Sequence, residues 1–115
     1  NLSQVHYILK NLFKILEITK KESEKEITIL LTNKSHPFFK AHFPKNEILA
    51  GFLQIDIIAD ILKHSVKKIN KAKFLSIIKP DDIIKYSISS KDNISYKIII
   101  KNKENKKISE FSYEI

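Results

Sequence analysis

His42-Phe-Pro-Lys-Asn-Glu-Ile-Leu-Ala-Gly51-Phe-Leu-Gln-Ile-Asp56 is the stretch on which the fold of this chain turns. Gly51 is the only glycine in the 115 residues. It stands where Asn33 to Ala50, a segment with two prolines and no clean period, runs into an apolar one. A chain that keeps one glycine at such a place needs either a backbone free of Cβ or an exposed N–H there. His42 lies nine residues before Gly51 and Asp56 five after it. A candidate base, a candidate acid and a helix N-terminus therefore fall within one short stretch.

Outward from Gly51, apolar residues at Phe52, Leu53, Ile55, Ile57, Ile58, Ile61 and Leu62 predict a buried helix from Gly51 to about Lys67. Four strand-like segments follow, Lys71 to Lys79, Ile83 to Ser90, Ile94 to Lys101 and Lys107 to Ile115. Pro80-Asp-Asp, Lys91-Asp-Asn and Asn102-Lys-Glu-Asn supply the turn chemistry between them. Ile94, Tyr96, Ile98 and Ile100 alternate, as do Phe111, Tyr113 and Ile115. Upstream, Glu26 to Thr32 alternates through Ile27, Ile29 and Leu31 and predicts a strand, and Asn33 to Ala50 a long ordered loop. Val5, Ile8, Leu9, Leu12, Phe13 and Leu16 have helical spacing after a Ser3 cap, which predicts a helix from Ser3 to Leu16, with Ile15 to Thr19 alternatively extended. The expected architecture is α+β, an antiparallel meander wrapping one helix, with residues 1–115 as a single domain.

The net charge is +8, and Lys supplies all 21 basic residues. Nucleic-acid readers use Arg forks and aromatics on a basic face, and neither is visible, so no nucleic-acid partner is expected. Compositional bias toward Lys, Ile and Asn accounts for the charge, and an acidic protein partner is compatible with it. Without Cys there are no disulfides and no thiolate metal sites. His36 and His42 have no zinc spacing, and one glycine leaves no phosphate loop, serine elbow or nucleotide fingerprint. Neither a metal nor a cofactor is expected. The run Ile48 to Leu62 is broken by Gln54, Asp56 and Asp60, too polar and short to span a bilayer. With no signal peptide in view, the expected compartment is the cytoplasm.

Asn33-Lys-Ser-His-Pro-Phe-Phe-Lys-Ala-His42-Phe-Pro44, continuing through Ile48-Leu-Ala-Gly51-Phe-Leu-Gln-Ile-Asp56, resembles the active-site segment of the hot-dog-fold β-hydroxyacyl-acyl carrier protein dehydratases. In that family a His-Phe-Pro loop precedes a Pro-Gly helix start, with a Glu or Asp fourteen residues after the His. Asp56 lies fourteen residues after His42. Lys73-Phe74 and Lys79-Pro80-Asp81-Asp82 resemble the family's Lys-Phe and Pro-Gly-Asp elements, with Asp81 in the glycine's place. Ala41 and Lys45 replace the glycines that flank His-Phe-Pro, and Ala50 replaces the proline before Gly51.

The resemblance implies a hot-dog fold, a homodimer or assembly of dimers, and dehydration of a β-hydroxyacyl thioester carried on acyl carrier protein or coenzyme A. That reaction removes a proton from C2, assists hydroxide in leaving C3, and builds charge on the thioester oxygen. A neutral His suits the first task, a carboxyl group in an apolar site the second, and an N–H at a helix start the third. His42, Asp56 and Gly51 are the candidates in that order. Phe39, Phe43, Pro44 and Phe52 are candidates to wall the acyl site. Other readings are a hot-dog thioesterase with Asp56 activating water, or a silent module that binds acyl chains or carrier proteins. Asp56 alternatively begins a solvated stripe with Asp60, Lys63, His64 and Lys67, and His6 and His64 read as surface or edge residues.

Overall fold

The computed structural model describes residues 11–33, 35, 36 and 48–115. The described residues form β1 (Phe13–Lys20), β2 (Glu24–Leu31), α1 (Gly51–Leu62), β3 (Lys68–Phe74), β4 (Ile83–Ser89), β5 (Ser95–Asn102) and β6 (Lys107–Glu114). The strands make one sheet in the order β1-β2-β4-β5-β6-β3, and each neighbouring pair is antiparallel.

Period-two alternation aims one face of this sheet at α1. Ile27, Ile29 and Leu31 of β2 share that face with Ile84, Tyr86 and Ile88 of β4, through the pairs Ile27↔Tyr86 and Ile29↔Ile84. Ile98 and Ile100 of β5 and Phe111 and Tyr113 of β6 continue it. All are buried, and Leu53, Ile57 and Ile58 of α1 close the core from the other side. Each such side chain stabilises the fold by about 1.5–3 kcal/mol, which is why the helix lies against the middle strands. The result is the expected α+β fold, an antiparallel sheet wrapped around one helix.

Several expectations need correction. Phe13 to Leu16 belong to β1 rather than to a helix, and the rest of the expected helix, residues 1–10, lies outside the described residues. The physical reason is a bulge between Ile15 and Glu17, which puts Ile15 and Ile18, three positions apart, on one face and so breaks the two-residue alternation of a strand. The helix ends at Leu62, five residues earlier than expected. Lys63 takes a left-handed conformation at φ 58°, and the N–H groups of Lys63 and His64 turn back to Asp60 and Ala59 at 3.2 and 2.8 Å.

The strand expected over Lys71 to Lys79 is Lys68–Phe74, and 75–82 is a loop. Nor is the meander continuous, because β3 crosses to the far edge beside β6 while β4 pairs with β2. Only β4, β5 and β6 form a meander. Ile94 falls outside β5 and is exposed, so the alternation of that segment begins at Tyr96. Most of the expected loop Asn33 to Ala50 lies outside the described residues.

A helix is about 10 Å across and strands lie about 4.8 Å apart, so among the described residues α1 shields the middle of the sheet and not its edges. Ile15 and Ile18 of β1 are paired with the core residues Ile29 and Ile27, yet they remain 41% and 53% exposed. Ile69 and Phe74 of β3 are paired with Tyr113 and Ser109 and remain 51% and 46% exposed. The inner face of the sheet is therefore open at both edges.

Candidate functional site

The site is built around the start of α1. Ala50 is extended at φ −61° and ψ 148°, and its carbonyl accepts the N–H groups of Leu53 and Gln54 at 3.1 and 3.2 Å. A helix start leaves its first N–H groups without partners inside the helix, which favours a negatively charged oxygen there. Gly51 is not needed for an unusual dihedral, since no glycine has positive φ. It is needed for space. A Cβ at Gly51 would fall 2.6 Å from Cε2 and 2.7 Å from Cζ of Phe74, whose ring lies over the helix start.

Phe74 thus belongs with Gly51, which gives the Lys73-Phe74 element a structural place. In the second element Asp81 adopts φ 69°, the left-handed conformation for which a glycine is the unstrained residue. The Asp81 N–H donates to Thr32 O at 2.9 Å, and an Asp82 carboxylate oxygen accepts the Lys79 N–H at 2.8 Å. This turn is tied to β2, and Ile78 in the same loop holds the Leu49 N–H at 2.7 Å.

Asp56 is half-buried in the second turn of α1, one turn beyond Phe52. Leu53, Gln54, Ile55, Ile57, Ile58 and Ala59 are buried, so Phe52, Asp56 and Asp60 mark the open stripe of an otherwise enclosed helix. Burial raises the Asp56 carboxyl above the usual carboxylate range, because the charged form loses hydration. Such a group keeps its proton to higher pH than a surface aspartate does. Phe52 is 61% exposed on the same stripe, one turn before Asp56. His42, Phe39, Phe43 and Pro44 lie outside the described residues. Gly51, Phe52 and Asp56 are therefore the expected site residues that the structure places on one helix.

Gln54 went unnoticed in the sequence, where it merely interrupts an apolar run. It is buried at 2% exposure. Its Nε2 donates to the Leu49 carbonyl at 3.3 Å, and its Oε1 accepts the Ser109 hydroxyl at 2.6 Å. The Tyr86 phenol donates to the Gln54 backbone carbonyl at 2.8 Å, and complete burial pushes that phenol far up, so it stays a donor. The signal available was the rule itself, since a Gln at a buried helical position must find partners.

His64 is not a plain surface residue either. Just beyond the helix, its Nδ1 lies 2.7 Å from the Tyr113 hydroxyl, and its ring centroid lies 4.3 Å from that of Tyr96. Burial, with Lys25 adding to it, lowers the His64 pKa. The pair anchors the C-terminal end of α1, the end away from Gly51. Among the described residues no group of His, Cys, Asp or Glu has the geometry to hold a metal, and no helix is long and apolar enough to cross a membrane.

A family model described as ApeI dehydratase, of the ApeI-like family, matches residues 18–112. The 3-hydroxyacyl-(acyl-carrier-protein) dehydratase FabZ of Caldicellulosiruptor bescii is 30% identical over 83 residues, covering 61% of this chain and 58% of that protein. The chain thus spans little more than half the length of the curated relatives it matches. Among solved structures, the dehydratase heterocomplex ApeI:P from Xenorhabdus doucetiae matches with a TM-score of 0.75 at 16% identity, over 88% of this chain and 95% of that one. A hypothetical thioesterase from Streptococcus pneumoniae, solved with coenzyme A, matches with a TM-score of 0.57 at 11% identity, over 98% and 93%. At these identities the two structures speak to the fold alone, which is the hot-dog fold.

Proposed function

The chain belongs to the ApeI-like dehydratase family, and from that premise we propose that it converts β-hydroxyacyl thioesters to trans-2-enoyl thioesters in acyl-chain synthesis. His42 takes the proton from C2. Asp56 gives a proton to the departing C3 hydroxyl, which leaves as water, and the proton on His42 returns to Asp56 through solvent. The Gly51 N–H at the start of α1 stabilises the charge that grows on the thioester oxygen. Phe39, Phe43, Pro44 and Phe52 wall the acyl chain. Acyl carrier protein or coenzyme A carries the substrate in the cytoplasm, no cofactor takes part, and the single domain of residues 1–115 works as a homodimer.

The observation that carries the reading is the half-buried Asp56, its carboxyl raised by burial, on the open stripe of the helix that Gly51 begins. A carboxylate on a plainly solvated stripe would have no reason to hold its proton. This sets the dehydratase reading above the solvated-face reading of the same residue. The likeness to thioesterases is one of fold.

The test is turnover of a β-hydroxyacyl thioester by the purified chain, followed as enoyl product. His42→Ala should abolish it. Asp56→Asn should slow it by at least about a hundredfold, the lower end for a general acid. Wild-type rates in both variants would refute the assignment. Release of free thiol without enoyl product would indicate a thioesterase, and carrier binding without turnover a silent module.

A further inference from the structure

Gln54 is the polar side chain of α1 that turns into the core, and its bonds tie the segment leading into Gly51 to β4 and β6. Its amide holds the Leu49 carbonyl at 3.3 Å and accepts the Ser109 hydroxyl of β6 at 2.6 Å. Its own carbonyl is held by the Tyr86 phenol of β4 at 2.8 Å. Leu49 is held a second time through its N–H, which donates to Ile78 O at 2.7 Å. Both polar groups of the Leu49 backbone are therefore fixed, two residues before the glycine.

A core position that needed only volume would be filled by Leu or Met, since a buried amide is tolerated only when its hydrogen bonds are made. Ser109 on β6 is itself fully buried, so the amide and the hydroxyl are matched to each other inside the core. We propose that Gln54 is the positioning residue of the site: by fixing the Leu49 carbonyl against β6 it sets the direction of the Gly51 and Phe52 N–H groups, without touching substrate. This rests on the dehydratase reading above. Donors to a developing oxyanion act through preorganisation, so a small misdirection of the N–H is felt in the rate.

The single glycine makes the test direct, because labelling with 15N-glycine gives one backbone resonance, that of Gly51. The probe is hexanoyl-N-acetylcysteamine, a saturated thioester that has no hydroxyl to lose. In the wild type the Gly51 resonance should shift on titration. In Gln54→Met its unliganded position should move and the thioester-induced shift should be lost. For a β-hydroxyacyl substrate, kcat should fall by about tenfold or more while KM stays within about twofold, because the missing interaction is made mainly in the transition state. Adding Ser109→Ala removes the hydroxyl that Gln54→Met leaves unpaired, so the double variant should regain melting temperature and not kcat. If Gln54→Met does not fold, the double variant carries the test. Recovery of kcat together with stability, or an unmoved Gly51 resonance, overturns the proposal. A wild type without turnover would refute the dehydratase reading, and the displacement of the Gly51 resonance would still decide the role of Gln54.

Discussion

Asp56 sits half-buried on the open stripe of α1. Its folded-state pKa is raised by burial, so the folded chain binds this proton more tightly than the unfolded chain does. The stabilising contribution is complete below the ordinary carboxylate pKa and is lost as pH rises through the raised value. At neutral pH the cost of ionising this half-buried carboxyl therefore works against folding, and Asp56→Asn should melt at or above the wild-type temperature. The gap should close on acidification to about pH 4, where the wild-type carboxyl of an ordinary aspartate regains its proton. Melting curves of the two proteins across that range are the check. A variant less stable than wild type at pH 7, with the deficit shrinking in acid, would mean that Asp56 is held as a carboxylate by a partner instead. A residue that lowers stability at working pH while removal lowers activity is what a functional acid is expected to be.

At the scale of the element, α1 and β3 meet where the Phe74 ring covers Gly51. Ala at position 51 places a methyl group inside the ring's contact distance, and Phe74 is half exposed at a sheet edge, so the ring is free to turn outward. Gly51→Ala should therefore cost about 1 kcal/mol, the low end of overpacking, and should cost nothing measurable in a Phe74→Ala background. Denaturant unfolding of the two single variants and the double variant gives the coupling directly. An equal cost in both backgrounds would move the reason for the glycine from packing to the backbone. The need for a glycine was legible in the sequence, but its cause was not, since Phe74 is distant in the chain and β3 had been expected several residues later. Strands β2, β4 and β6 were legible because they bury one full face, which leaves a clean alternation. β1 was legible only as the extended alternative over Ile15 to Thr19, because its bulge broke the period and its edge position left both faces exposed. Asp56 and Gly51 were legible through spacing, whereas Gln54 became meaningful only when Leu49, Tyr86 and Ser109 surrounded it.

At the scale of the molecule, the six strands and one helix of the described residues leave apolar surface that a second body would cover. Phe52, Ile69, Phe74, Leu75 and Ile77 are each at least 46% exposed, and Phe52 and Phe74 flank the Gly51 helix start. Two copies that associate where Phe52 and Phe74 flank Gly51 would cover those side chains. The homodimer would then share its sites, with His42 of one protomer opposite Asp56 of the other. Mixing inactive His42→Ala protomers with inactive Asp56→Asn protomers tests this. With free exchange about half the dimers are mixed, and a mixed dimer has one site with both groups intact and one with neither, so activity should recover to about a quarter of wild type under two-fold symmetry. Exchange must be shown independently, by mass or by fluorescence transfer between labelled protomers. Exchange without recovery would put His42 and Asp56 of each site in one chain, or show that the pair does not act together.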